Sequence, residues 1–183
     1  MTKFWFVGAV AVLSVCLMGP SAFGQCGVFE SSADWAGRGD VKAEGSCEEA
    51  GGEYNLRGNG DDIWNTQDEA FYAYTEKEGS WSLTANLEWI DPGAHEWAKV
   101  ELMIRENPED PSSRFFAISL RGNEWGDQVD VQYRLAEGGD AAGTGALQFE
   151  GENVMAWDGT LTFRVTRIAS INTMIAEWSA DGG

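Results

Sequence analysis

The chain has 183 residues, of which 30 are acidic and 12 basic, for a formal net charge of −18. So anionic a surface repels phosphate backbones and anionic bilayers, which argues against nucleic acid or a membrane as partner of the mature form. The single histidine, with only two cysteines left in the mature chain and those expected to be oxidised, cannot supply a zinc centre of the His and Cys type.

The N-terminus reads as an address. Lys3 precedes the fifteen-residue apolar run "FWFVGAVAVLSVCLM", Gly19-Pro20 breaks it, and Ala22 and Gly24 stand at the spacing of a signal-peptidase site. The run is short of the ~20 residues that cross a bilayer. Residues 1–24 are therefore expected to be a cleaved signal peptide, making the protein secreted, extracellular or periplasmic. Residues 25–183 then form one domain. Without Lys3 it carries eleven basic against thirty acidic residues. Its only cysteines, Cys26 and Cys47, are expected to form a disulfide in an oxidising compartment. Closing a loop of about 20 residues stabilises by roughly 3 kcal/mol.

The stretch "GNGDDIWNTQDEAFYAY" follows at residues 58–74. Asp61 and Asp62 come after Gly58-Asn59-Gly60, on a turn entering a strand. The first reading of the pair is turn formation. The second is calcium, held by Asp61, Asp62 and Asp68 if the fold gathers them, although the EF-hand string is absent. Trp64 reads as core, because burying an indole is a large apolar gain.

From residue 81 onward the pattern has period two. "WSLTANLEW" puts Trp81, Leu83, Ala85, Leu87 and Trp89 on one side, and Ser82, Thr84, Asn86 and Glu88 on the other. "VELMIR" separates Val100, Leu102 and Ile104 from Glu101, Met103 and Arg105. "RFFAISL" separates Phe116, Ile118 and Leu120 from Phe115, Ala117 and Ser119. "VDVQYRL" separates Val129, Val131, Tyr133 and Leu135 from Asp130, Gln132 and Arg134. "LTFRV" and "NTMIAEW" add two more strands. The separators "DPGAHE", "NPEDPSS", "RGNEWGD", "EGGDAAGTG" and "WDGT" are turn-forming. Strands and loops of this kind predict an all-β fold of antiparallel sheets, each with one apolar and one wet face. Asp181-Gly182 is a hairpin signal after the last strand. It predicts a return strand beyond Gly183, and hence a domain that is missing its C-terminal strands.

The words "GNGDDIW", "AFYAY", "HEWAKVELMIRE", "SSRFFAISL", "VQYR" and "NTMIAEWSADG" resemble, in order and spacing, a group of secreted bacterial domains. That group is concanavalin A-like and carries the family label "regulation of enolase". The match rests on Gly58, Gly60, Asp62, Ile63 and Trp64, then Phe71 and Tyr74, then Trp97, Ala98, Lys99, Met103, Ile104, Arg105 and Glu106. It covers about residues 53–182. Departures are the Asp pair where one Asp is usual, a longer "RIASINT" turn, and the absence of the family's last strands. The resemblance implies a jelly-roll sandwich of two antiparallel sheets. It suggests glycan binding by association with carbohydrate-active and surface proteins, and no particular activity.

Catalysis finds little support. His95 is the one histidine, no G-x-S-x-G string occurs, and no strand carries the closely spaced acids that a glycosidase would need. A polysaccharide-degrading enzyme is thus the third reading. The first is a non-catalytic, lectin-like module for an extracellular glycan. Sugars stack on aromatic rings and take hydrogen bonds from fork-like side chains. Tyr72, Tyr74 and Trp125 are the expected stacking rings, with Arg105, Gln132 and Arg134 as hydrogen-bonding groups. The second reading is a structural or adhesive surface module without a small ligand, calcium-stabilised if the ion binds. In that case the rings pack under a loop and the arginines bridge to nearby acids.

Overall fold

The computed structural model describes residues 25–35, 44–88, 98–121, 128–144 and 161–179, together with the backbone of 4–7. Among the described residues the regular elements are strands, apart from a 3-10 turn at Ala169–Ile171. In chain order they are β1 (Phe4–Val7), β2 (Ser31–Asp34), β3 (Ser46–Ala50), β4 (Glu53–Arg57), β5 (Ile63–Trp64), β6 (Gln67–Asp68), β7 (Phe71–Tyr74) and β8 (Glu76–Lys77). Then follow β9 (Trp81–Leu87), β10 (Lys99–Arg105), β11 (Phe115–Arg121), β12 (Gln128–Arg134), β13 (Ala142–Gly143), β14 (Leu161–Ile168) and β15 (Thr173–Ser179). The protein is all-β, as its alternation predicts, and every described pairing is antiparallel.

A six-stranded sheet in the order β13-β12-β11-β10-β1-β8 faces a three-stranded sheet in the order β15-β14-β9. The apolar sides of the alternating strands meet between them. Leu102 and Ile104 of β10, Ile118 and Leu120 of β11 and Val129 of β12 pack with Leu161, Phe163 and Val165 of β14 and Ala85 and Leu87 of β9. Full burial of such a side chain stabilises by about 1.5–3 kcal/mol. This shared core is what joins the layers.

The two outer faces differ. On the three-stranded sheet Ser82, Thr84, Asn86 and Arg164 are exposed, as a half-wet sheet requires. On the six-stranded sheet the expected wet face is absent. Glu101, Met103 and Arg105 of β10, Ala117 and Ser119 of β11, and Asp130, Gln132 and Arg134 of β12 are all buried. Tyr72 and Tyr74 of β7 cover this face with Trp35, Ile63 and Trp64. The expectation of one wet face per strand is thus corrected for β10–β12.

β7 and its partner β2 extend the covering layer. The expected disulfide is present: Cys26 and Cys47 are bonded, with Cα atoms 6.0 Å apart. It ties the Cys26–Phe29 turn to the β3–β4 hairpin. Within the expected leader, residues 4–7 form β1. The rest of the leader, His95, Trp125 and Asp181-Gly182 lie outside the described residues.

Candidate functional site

The segment 58–70 reaches the buried face as a small hairpin. Gly60 presses on the chain coming back: a Cβ there would sit 1.8 Å from the Glu69 carbonyl oxygen, so no larger residue fits. Asn65 turns the β5–β6 hairpin with φ of 50°, a left-handed conformation that Asn tolerates. The Glu69 N–H donates to the Asp62 carbonyl and the Asp68 N–H to the Pro111 carbonyl. These bonds deliver the Asp68 carboxylate into the protein.

Asp68 lands between two arginines. Arg105 of β10 and Arg134 of β12 flank Phe115 of β11 in register. Arg105 Nη1 donates to Asp68 Oδ2 at 2.6 Å, Arg134 Nη2 to Oδ1 at 2.6 Å and Arg134 Nη1 to Oδ2 at 2.9 Å. All three side chains are fully buried. The remaining guanidinium donors meet backbone carbonyls. Arg105 reaches Asn107 and Asp110, and Arg134 reaches Gly139, Pro111, Ser113 and Asn65. The two arginines therefore staple three loops to the sheet. Aromatic faces complete the enclosure. Arg105 Cζ lies 4.4 Å from the Trp35 ring centre, and Arg134 Cζ lies 5.0 Å from that of Phe115.

Of the expected stacking rings, Tyr72 and Tyr74 are interior too. Tyr72 stacks on Trp35 at 5.1 Å and on Tyr74 at 5.5 Å. Burial pushes the Tyr72 hydroxyl well above its ordinary pKa. Tyr74 donates to Glu109 Oε1, and burial followed by that bond raises its pKa to about 12. Gln132, with its amide nitrogen turned toward Glu101, donates to Glu101 Oε1 at 3.2 Å and to the Ile63 carbonyl at 3.3 Å. Thus Tyr72, Tyr74, Arg105, Gln132 and Arg134 come together as expected, but beneath a cover rather than on a surface. The expectation that they point outward is corrected, because their hydrogen-bonding capacity is directed inward.

The calcium set is not assembled. Both oxygens of Asp68 accept from arginine. Asp62 pairs with Lys99 Nζ at 2.5 Å, and Asp61 is exposed. Among the described residues no group of three or more His, Cys, Asp or Glu side chains is placed to hold a metal ion.

A row of polar groups that spacing along one strand could not reveal crosses the same face. Glu101, Ser119 and Asp130 sit side by side on β10, β11 and β12. The outer two are two strand spacings, or ~10 Å, apart at the backbone. Burial raises the Glu101 carboxyl to about pKa 8, against the downward pull of Lys99 and of nearby Ser119; Asp68 and Asp62 add to the rise. Glu101 Oε2 and Ser119 Oγ make no hydrogen bond. Thr144 Oγ1 donates to Asp130 Oδ1 at 3.2 Å. Gly143 allows β13 to close on it, since a Cβ there would lie 2.8 Å from Asp130 Oδ2. The signal available in the sequence was the shared polar parity of the three strands, which becomes a row only once the registers are known.

An open cleft of about 220 Å³ lies away from these charges, between β9 and the β3–β4 hairpin. Val28, Phe29, Tyr54 and Leu83 supply apolar wall, and Thr84 and Asn86 a polar rim. The Tyr54 ring meets Phe29 edge-on at 5.3 Å, and its hydroxyl accepts from the Val28 N–H at 3.0 Å. Both contacts hold the ring still. No protein-family model matches the chain, and neither a curated protein nor a solved structure matches it.

Proposed function

We propose that the protein is an exported, non-catalytic, concanavalin A-like jelly-roll module that binds extracellular carbohydrate in the Tyr54 cleft. The observation that carries this reading is the cleft itself: a fixed aromatic ring and apolar wall beside Thr84 and Asn86, whose side chains also accept from Arg164 and Thr162. Such pairing suits a sugar, whose C–H face is apolar and whose edge is polar. The cleft is smaller than the ~300–1,000 Å³ of sites for drug-sized ligands, so it fits a single terminal ring. Export is supported by the leader-like N-terminus and by the Cys26–Cys47 disulfide. The jelly-roll assignment draws on the two antiparallel layers and on the resemblance of the strand sequences.

A glycan array probed with the parent and with Val28→Trp tests the site. Val28 is an exposed residue of the cleft wall, so the indole narrows the cleft without disturbing the core. The expected result is binding by the parent and loss of at least tenfold in the variant at unchanged melting temperature. A parent that binds no glycan, or a variant that binds like the parent, overturns the proposal. The second reading, a structural or adhesive module without a small ligand, is favoured by one observation. Arg105 and Arg134, the best-suited hydroxyl binders, are consumed by Asp68.

A further inference from the structure

The β3–β4 hairpin brings more than Tyr54 to the cleft. Glu49 and Tyr54 are directly opposite each other across the hairpin, so their side chains share one face. Both press on the Cys26–Phe29 turn at Gly27. A Cβ there would overlap the Tyr54 hydroxyl and lie 2.7 Å from Glu49 Cγ, so only glycine lets the turn come this close. Glu49 Oε1 accepts from the Gly52 N–H at 2.7 Å. That bond holds the carboxylate beside the lining residues Gly52 and Tyr54. Among the described residues no lysine or arginine pairs with Glu49, and Oε2 takes no hydrogen bond. At the opposite rim Arg164 donates to Thr84 Oγ1 at 2.9 Å and has its own counter-acid in Glu177, 4.0 Å away.

We propose that the cleft selects sugars carrying a protonated amine, a terminal hexosamine with its nitrogen unacetylated, and that Glu49 is the residue that recognises the ammonium. This rests on the reading that the cleft binds carbohydrate. The C–H face of the sugar lies on Tyr54 and the apolar wall, as for any pyranose. An ammonium on the ring edge then meets a carboxylate oxygen already held in place. The charge-assisted hydrogen bond is roughly twice as strong as the one a hydroxyl makes. Acetylation removes the charge and adds bulk in a cleft of about 220 Å³. A uronic acid or a sulfated sugar brings an anion against Glu49 and against the molecule's net charge of −18, and is repelled. Because Glu49 is exposed, water and salt screen the pair, so the preference is on the order of a few-fold.

The test titrates methyl glycosides of glucosamine and galactosamine, with their acetylated, neutral and uronic counterparts, into the parent, Glu49→Gln and Glu48→Gln, followed by NMR at about pH 6 and low salt. An amide oxygen can still accept from the Gly52 N–H, so Glu49→Gln is expected to keep the hairpin and the parent's melting temperature. Glu48 pairs with Asn55 on the other face of the hairpin, and its variant removes the same charge from the molecule. The parent is expected to bind an amino sugar at least threefold more tightly than its neutral and acetylated forms, and the uronic acid most weakly. Glu49→Gln is expected to bind amino and neutral sugars alike, with the neutral sugar's affinity unchanged, whereas Glu48→Gln keeps the parent's preference. Equal affinities in the parent, tighter binding of the uronic acid, a preference that survives Glu49→Gln, or an equal loss in Glu48→Gln overturns this selection and leaves the cleft as a carbohydrate site. A parent that binds none of these sugars overturns both.

Discussion

Asp68→Asn is the most informative single change in the molecule. The replacement keeps the shape of the side chain and removes one charge. Arg105 and Arg134 then remain buried as cations with no anion between them, because their other donors reach backbone carbonyls and the uncharged Met103 sulfur. Removing one partner of a buried pair costs about 3–5 kcal/mol. Here one carboxylate serves two guanidinium groups through three contacts, so the cost belongs at the upper end of that range. Against the ~5–15 kcal/mol that hold a typical domain together, this is a third or more of the total. Equilibrium urea unfolding reads it directly. With a slope of ~2 kcal/mol per M, a loss of ~4 kcal/mol lowers the midpoint by ~2 M. Removing both arginines as well is expected to recover little, because the carbonyls of Asn107, Asp110, Gly139, Ser113 and Asn65 then lose their donors. A fall of less than about 1 kcal/mol for Asp68→Asn would refute the reasoning.

Two further outcomes follow from other groups. The folded-state pKa of Glu101, raised to about 8 chiefly by burial, lies above its unfolded value near 4.5. Between those values the folded state binds the extra proton, so the contribution is full below pH 4.5 and is lost as pH rises through about 8. Glu101→Gln, neutral at every pH, is expected to gain on the parent steadily between pH 5 and pH 8, by several kcal/mol overall; parallel unfolding curves for the two across that window would contradict it. Replacing Cys26 and Cys47 together by Ser is expected to cost about 3 kcal/mol. In a domain of this size that lowers the melting temperature by roughly 6–12 °C. A calorimetric change under 2 °C would show that the bond does not constrain the unfolded chain in this way.

Strands β9–β12 and β15 fall within a residue or two of the alternating stretches that predict them, and β14 runs three residues past its own, because period two is a property of neighbours in the chain. The cover over the six-stranded sheet has no such local signature. A strand face bearing Glu101, Met103 and Arg105 reads alike whether water or counter-charges lie above it. What decides between them is Asp68, which stands 37 residues from Arg105 and 66 from Arg134. The partial clue was composition, since a chain with 30 acids and 12 basic residues leaves any arginine on a polar strand face short of reasons to stay solvated. The same blindness to what lies across the sheet explains the Glu101–Ser119–Asp130 row. Its members are 11 or more positions apart, and no spacing rule along one strand connects them.

The buried lock and strand β1 are physically linked. Asp68 and its hairpin belong to the covering layer, whereas Arg105 ends β10, the strand that pairs with β1. Trp5 pairs with Arg105. In the full-length chain β1 thus supports the backbone that aims the Arg105 guanidinium at Asp68. Displacing β1 by Trp5→Pro is expected to loosen the lock. The loss from Asp68→Asn should therefore be smaller in the Trp5→Pro chain than in the parent. The shortfall, obtained from a double-mutant cycle in urea, is the coupling energy between the two sites. Strict additivity within about 0.5 kcal/mol would mean that the two halves of the sheet are held independently of each other.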